Sequence, residues 1–191
     1  MTPHHQLGLI LITAAAALAP SVGLAQQKLV PAQSSISFTT KQMGVPLEGQ
    51  FKKFDAQISF DTAKPDTAKI AFSVDTGSAT LGAPESDAEL PKAAWFNVAK
   101  FPQAQFQSAS VKSLGGGKFQ VNGKLTIKGN AKDVEVPVTL AQANGLTTAT
   151  GQFTLKRLTY KIGENEWADT SMVADDVLVK LKLVVSGMGK L

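Results

Sequence analysis

The chain has 191 residues, no cysteine, and both of its histidines within the first five positions. This excludes disulfide staples and thiolate metal sites and, beyond His5, any catalysis or metal binding by imidazole. The formal net charge of +4 comes from lysine and a single arginine, Arg157. So little arginine argues against nucleic-acid or phosphate recognition, which leans on forked guanidinium hydrogen bonds.

The elements follow in chain order. Leu7 to Leu18 is an apolar run that ends near Pro20, and Gly23-Leu24-Ala25 supplies small residues beyond it. Such a run is too short to cross a bilayer and suits the core of an export signal. The expectation is a signal peptide over residues 1–25, cleaved after Ala25, and one periplasmic domain over 26–191. A domain of that length buries a core without staples.

Ile36 and Phe38 open a first strand after Pro31. Met43-Gly44-Val45-Pro46 breaks it, and Leu47 to Phe51 follows. At Lys52-Lys53 the alternation slips by one residue before Phe54, Ala56, Ile58 and Phe60 resume it, which predicts a bulge. Asp61 to Thr67 reads as a turn and Ala68 to Asp75 as a strand. Thr76 to Pro102 lacks alternation. Pro84 with Glu85 and Asp87 predicts a short helix ended by Pro91, and Ala93 to Phe96 a further helical turn. A segment of this kind within a strand pattern is a candidate lid or plug.

Strands resume at Ala104-Phe106 and continue through Phe119 to Ile127, Val134 to Leu140 and Thr147 to Leu158. Gly115-Gly116-Gly117 lacks phosphate-loop spacing and predicts a hairpin turn. Gly163 to Asp176 is a second irregular segment, and Val177 to Val185 the last strand. The polar positions between the apolar ones carry Lys52, Lys69, Lys124, Lys128, Lys156, Lys180 and Lys182, expected on outward faces. A charged exterior does not fit a lipid-facing barrel.

Period-two alternation over so many strands, with little helix, predicts an all-β fold: a closed antiparallel β-barrel of about eight strands with one or two short helical segments. Its inward residues make either a filled core or an apolar tunnel, and alternation alone does not choose. The carboxylates Glu164, Glu166, Asp169, Asp175 and Asp176 match no calcium loop and read as solvated loop residues. Arg157 is expected to pair with Asp87, Glu89 or Asp169, or to cap a ligand head group. No catalytic residue, metal site or cofactor is expected.

One family resemblance covers nearly all of residues 26–191. Ser35-Ile36-Ser37-Phe38, Gly44-Val45 and the run Gly49 to Asp61 resemble the opening of the YceI-like family. The match continues through Asp87 to Leu90, Trp95-Phe96-Asn97, Lys100 to Phe106 and Gly123 to Gly129. The resemblance implies a lipocalin-like barrel whose tunnel holds a long-chain amphiphile such as a polyisoprenoid, a quinone or another long-chain lipid. It favours the tunnel over the filled core. The wall candidates are the inward residues Phe38, Phe51, Ile58, Phe60, Phe72, Phe106, Leu125, Ile127, Phe153 and Leu155, and Trp95 and Trp167 in the two irregular segments are candidates for the rim.

Arg157 to Gly163 with Glu166 to Asp169 is similar to a branch found beside membrane b-type cytochromes, which implies a cytochrome partner and traffic with quinones. Many relatives carry Arg and His where this chain has Ser86 and Glu89. That departure favours a neutral head group over a diphosphate at a mouth formed by Asp87, Glu89 and Arg157. The expectation is therefore a binding protein rather than an enzyme, with no nucleic-acid partner and an oligomeric state left open. The alternative is an interaction or stress-response protein whose filled barrel meets a protein partner through its loops.

Overall fold

The computed structural model describes residues 27–191. The expected signal peptide lies outside the described residues. Eleven strands occur: β1 (Lys28–Leu29), β2 (Ser35–Gln42), β3 (Val45–Phe51), β4 (Phe54–Ser59), β5 (Lys69–Asp75), β6 (Ala79–Thr80), β7 (Gln103–Gly115), β8 (Lys118–Ile127), β9 (Asn130–Ala143), β10 (Leu146–Lys156) and β11 (Asp176–Ser186). Among the described residues, one α-helix, α1 (Pro84–Glu89), accompanies them. Four of the hairpins turn through two residues. Met43-Gly44, Gly116-Gly117, Lys128-Gly129 and Asn144-Gly145 all have positive φ at both positions. These are the loops whose twist matches that of the flanking strands.

All strands join one antiparallel sheet in the order β4-β5-β7-β8-β9-β10-β11-β2-β3-β6, with β1 added on β11. The sheet curls around its apolar face, but it is not the closed eight-stranded barrel that alternation suggested. Its ladder ends at β4 on one side and at β6 on the other. The parity slip at Lys52-Lys53 is correspondingly not a bulge. It is the corner at which the chain leaves β3, near one end of the sheet, and enters β4, at the other. Ser78 holds this corner, taking the Lys52 N–H on its carbonyl at 3.1 Å and the Lys53 N–H on its hydroxyl at 3.0 Å. Further along the seam, the Gln27 side chain substitutes for a strand. Its amide donates to the Phe60 carbonyl at 2.6 Å and accepts the Phe60 N–H at 2.9 Å.

Two apolar clusters line the concave side. One collects Leu90, Phe96, Ala104, Ile127, Leu155, Tyr160 and Ile162 at the end that carries α1. The other gathers Phe60, Val111, Phe119 and Val121 at the opposite end, where Phe60 and Phe119 meet edge-on at 5.1 Å. The segment from Thr76 to Pro102 does act as a plug, because Leu90 and Phe96 are buried in the first cluster. Its helix covers Pro84–Glu89, and Ala93 to Phe96 forms turns without a second helix.

Candidate functional site

Each long strand sends one parity inward, and those side chains leave two cavities. The first, of about 210 Å³, lies at the α1 end and includes Phe38, Phe51, Trp95, Ile127, Leu155 and Trp167 in its wall. The second, of about 160 Å³, includes Ile58, Phe60, Phe72 and Phe106. Ile36, Val74, Leu125, Phe153 and Val179 border both and form a waist between them. Taken as one space, the pair reaches the lower end of the ~300–1,000 Å³ typical of small-molecule sites.

All twelve side chains named from the sequence as wall or rim face one cavity or the other. Ile36, Val74, Leu90, Phe96, Ile162, Val173 and Val179 join them. The strand members of that group carry the same inward parity. Leu90, Phe96, Ile162 and Val173 belong to irregular segments, where alternation gives no signal.

Two glycines shape the walls. A Cβ on Gly49 would stand 2.3 Å from the Phe38 ring, and one on Gly123 2.4 Å from the Phe106 ring. Both rings lie across a neighbouring strand where any side chain would exclude them. In the wall of the first cavity, Trp95 and Trp167 bring the two irregular segments together with ring centroids 5.5 Å apart.

The polar residues at the α1 end divide differently from the expectation. Arg157 pairs with none of Asp87, Glu89 or Asp169. It is 2% exposed and spends all five guanidinium N–H groups on backbone carbonyls. Nε donates to Ala174, Nη1 to Ile162 and Gly163, and Nη2 to Trp167 and Val173, at 2.7–3.1 Å. Five donors meeting five acceptors leave none for a head group. Burial lowers its pKa, and the charge of Asp175 partly offsets this. Arg157 therefore organises the 157–174 loop.

Lys128 is not on an outward face. Its ammonium is buried and donates to the carbonyls of Ala93 and Lys161 at 2.6 and 2.7 Å and to the Glu164 carboxylate at 2.8 Å. The Lys128 hydrogen bond holds the Glu164 carboxyl below its ordinary pKa. Asp87 is turned toward β6, where it accepts the Thr80 hydroxyl and the Leu81 N–H, each at 2.5 Å. The Thr80 bond, with Leu81 second, lowers its pKa. Asp87 thus anchors α1 and does not border a cavity. Ser86 and Glu89 do border the first one, and Glu89 is paired with Lys92. Of the loop carboxylates, Glu166 is exposed as expected, whereas Glu164, Asp169, Asp175 and Asp176 have structural partners. Asp169 takes the Ser171 N–H and hydroxyl, Asp175 the Leu158 N–H, and Asp176 the Lys156 ammonium.

The crystal structure of BcnA from Burkholderia cenocepacia is 43% identical, with a TM-score of 0.79 over 82% of this chain and 98% of that one. The protein YceI of Salmonella arizonae is 39% identical over 106 residues, 55% of this chain and 53% of that protein. This chain spans about half the length of the curated relatives it matches first. A polyisoprenoid binding domain from Saccharophagus degradans, described as implicated in plant cell wall breakdown, shares the fold with a TM-score of 0.69 at 15% identity. Residues 27–185 match the YceI-like domain, with a curled all-β sheet around an apolar interior, and the chain belongs to the YceI-like family.

Proposed function

We propose that this chain is a carrier that holds one long-chain amphiphile in its two adjoining cavities. The observation that carries the reading is the composition of the walls. Apart from Thr40, Gln42, Ser86, Glu89 and Arg157 at the α1 end, every side chain bordering either cavity is apolar or aromatic. Such a space favours a hydrocarbon chain, since each methylene taken from water contributes ~0.8 kcal/mol. A branched polyisoprenoid tail suits the phenylalanine-lined space, and a neighbour of the same fold is described as polyisoprenoid binding.

The head group in this reading is neutral and quinone-like. The buried cations near the first cavity are already committed, Arg157 to five carbonyls and Lys128 to three oxygens. Glu89 at the cavity wall is paired with Lys92, so that wall carries no net charge of its own to attract a diphosphate. A periplasmic location belongs to the same proposal and rests on residues 1–25.

Mass spectrometry of an organic extract from the purified protein tests carriage. The expected result is about one long-chain amphiphile per chain, and a clean extract from protein that also binds no added isoprenoid would refute it. Competition between a quinone and a diphosphate of equal tail length tests the head group. The quinone is expected to bind more tightly. The double change Ser86→Arg with Glu89→His is expected to move the ratio by about tenfold toward the diphosphate, at ~1.5–3 kcal/mol per charge-assisted bond. An unmoved ratio would show that α1 does not read the head group.

A further inference from the structure

We infer that the tip of the β2–β3 hairpin and the loop at Met172 form an apolar lip that docks on a lipid bilayer at the mouth of the first cavity. This rests on the carrier reading and adds the surface through which cargo is exchanged. Met43 is 70% exposed, Val45 65% and Met172 42%. Among the described residues, they make up three of the five large apolar side chains that stand exposed. The other two, Leu114 and Leu191, belong to the β7–β8 hairpin and the chain end.

Backbone bonds bring the three together. The Met43 N–H donates to the Met172 carbonyl at 2.8 Å, and the Ala174 N–H to the Lys41 carbonyl at 2.9 Å. Gln42 and Val173 form an isolated bridge between these contacts. The same two segments build the cavity, since Thr40, Gln42, Leu47 and Val173 line it. Val45 has the inward parity of Leu47 and Phe51 but stands beyond the rim. The patch is therefore the outward continuation of the cavity wall. Met43 also holds a positive φ of 50°, where Asn or Gly is the usual residue. The most exposed apolar side chain of the lip thus occupies a position that local geometry would give to a polar one.

The occupant we assign is a bilayer. Three side chains fall well short of the ~800 Å² per partner of a standard protein interface, so a second copy does not account for them. A bilayer accepts a small apolar insertion without a complementary shape. An amphiphile insoluble in water also needs a route that avoids water, and a mouth seated on the membrane supplies it. Within five positions of the lip residues in sequence, the charges are Lys41, Glu48, Asp169, Asp175 and Asp176. They show no cationic excess, so docking is by apolar insertion and not by attraction to anionic lipid.

The test is flotation of the full chain with phosphatidylcholine vesicles, with and without phosphatidylglycerol. The variant is Met43→Asn with Val45→Thr and Met172→Gln, which suits the positive φ and keeps the strand. Wild type is expected to float with both vesicle types. Its bound fraction should change less than about twofold between ~0.05 and ~0.5 M salt. The variant is expected to lose vesicle binding by about tenfold or more, while its thermal midpoint and bound amphiphile per chain stay at wild-type values. Failure of wild type to float would overturn the proposal. So would binding confined to anionic vesicles and abolished by salt, or a lip variant that differs only by losing a dimer in sedimentation. A wild type that floats, yet gives a clean lipid extract and binds no added isoprenoid, would instead refute the carrier reading and leave the docking surface standing.

Discussion

Leu125→Trp separates a tunnel from a filled interior. Leu125 lies on β8 opposite Lys132 of β9 and Phe106 of β7, and it borders both cavities. In a close-packed core the larger ring would cost ~1–3 kcal/mol. For a domain of this length that corresponds to roughly 2–4 °C per kcal/mol, hence a fall of about 2–12 °C in Tm. Here the indole has about 210 and 160 Å³ of empty space on its two sides, so the expected fall is under about 4 °C. The ring would close the waist and confine a bound tail to one cavity. Excluding one isoprene unit, with about five carbons at ~0.8 kcal/mol each, removes about 4 kcal/mol of burial. That is roughly three decades of affinity for tails long enough to cross the waist. Differential scanning fluorimetry reports the first quantity, and titration with isoprenoid alcohols of graded length reports the second. A fall in Tm beyond about 4 °C together with unchanged preference for long tails would refute the tunnel.

Two further outcomes follow from the polar framework. Arg157→Met strips five carbonyls of a charged donor, so urea unfolding should show a loss of more than about 4 kcal/mol. Arg157→Lys, with three donors, should recover less than half of it, and a loss below about 1 kcal/mol in the methionine variant would refute the hub role. The Glu164 carboxyl has a folded pKa below its unfolded value because Lys128 donates to it. Its contribution is fully present above the unfolded value and is lost as pH falls through the folded one. Urea melts over an acid series should therefore show a shallower loss of stability in Glu164→Gln than in wild type on the acid side of the carboxylate range. Parallel curves would refute the coupling.

Alternation alone located nearly every strand of this chain, because a strand with one dry face must repeat every second residue. It also named the inward side chains Phe38, Phe51, Phe72, Phe106, Leu125 and Phe153, since parity is a local property. The glycine run at 115–117 marked a hairpin for an equally local reason, the positive φ of a two-residue loop. The parity slip at Lys52-Lys53 was visible too, but its meaning was not. A bulge within one ladder and a corner between two ends of a sheet leave the same trace, and only strand pairing tells them apart.

The fates of the charged residues needed the tertiary structure for the same reason. Lys128 alternates like an exterior lysine, yet the hairpin turn carries it under Ala93 and Lys161, residues more than thirty positions away in sequence. Arg157 looked like half of an ion pair because a lone guanidinium near acids suggests one. The fold instead wraps the 162–174 loop around it and satisfies it with carbonyls, which carry no side-chain signature. The sequence determined which face of each strand is dry. How far apart those faces stand, and so whether they enclose a space, was decided by the curl of the whole sheet, a sum over pairings that no single segment contains.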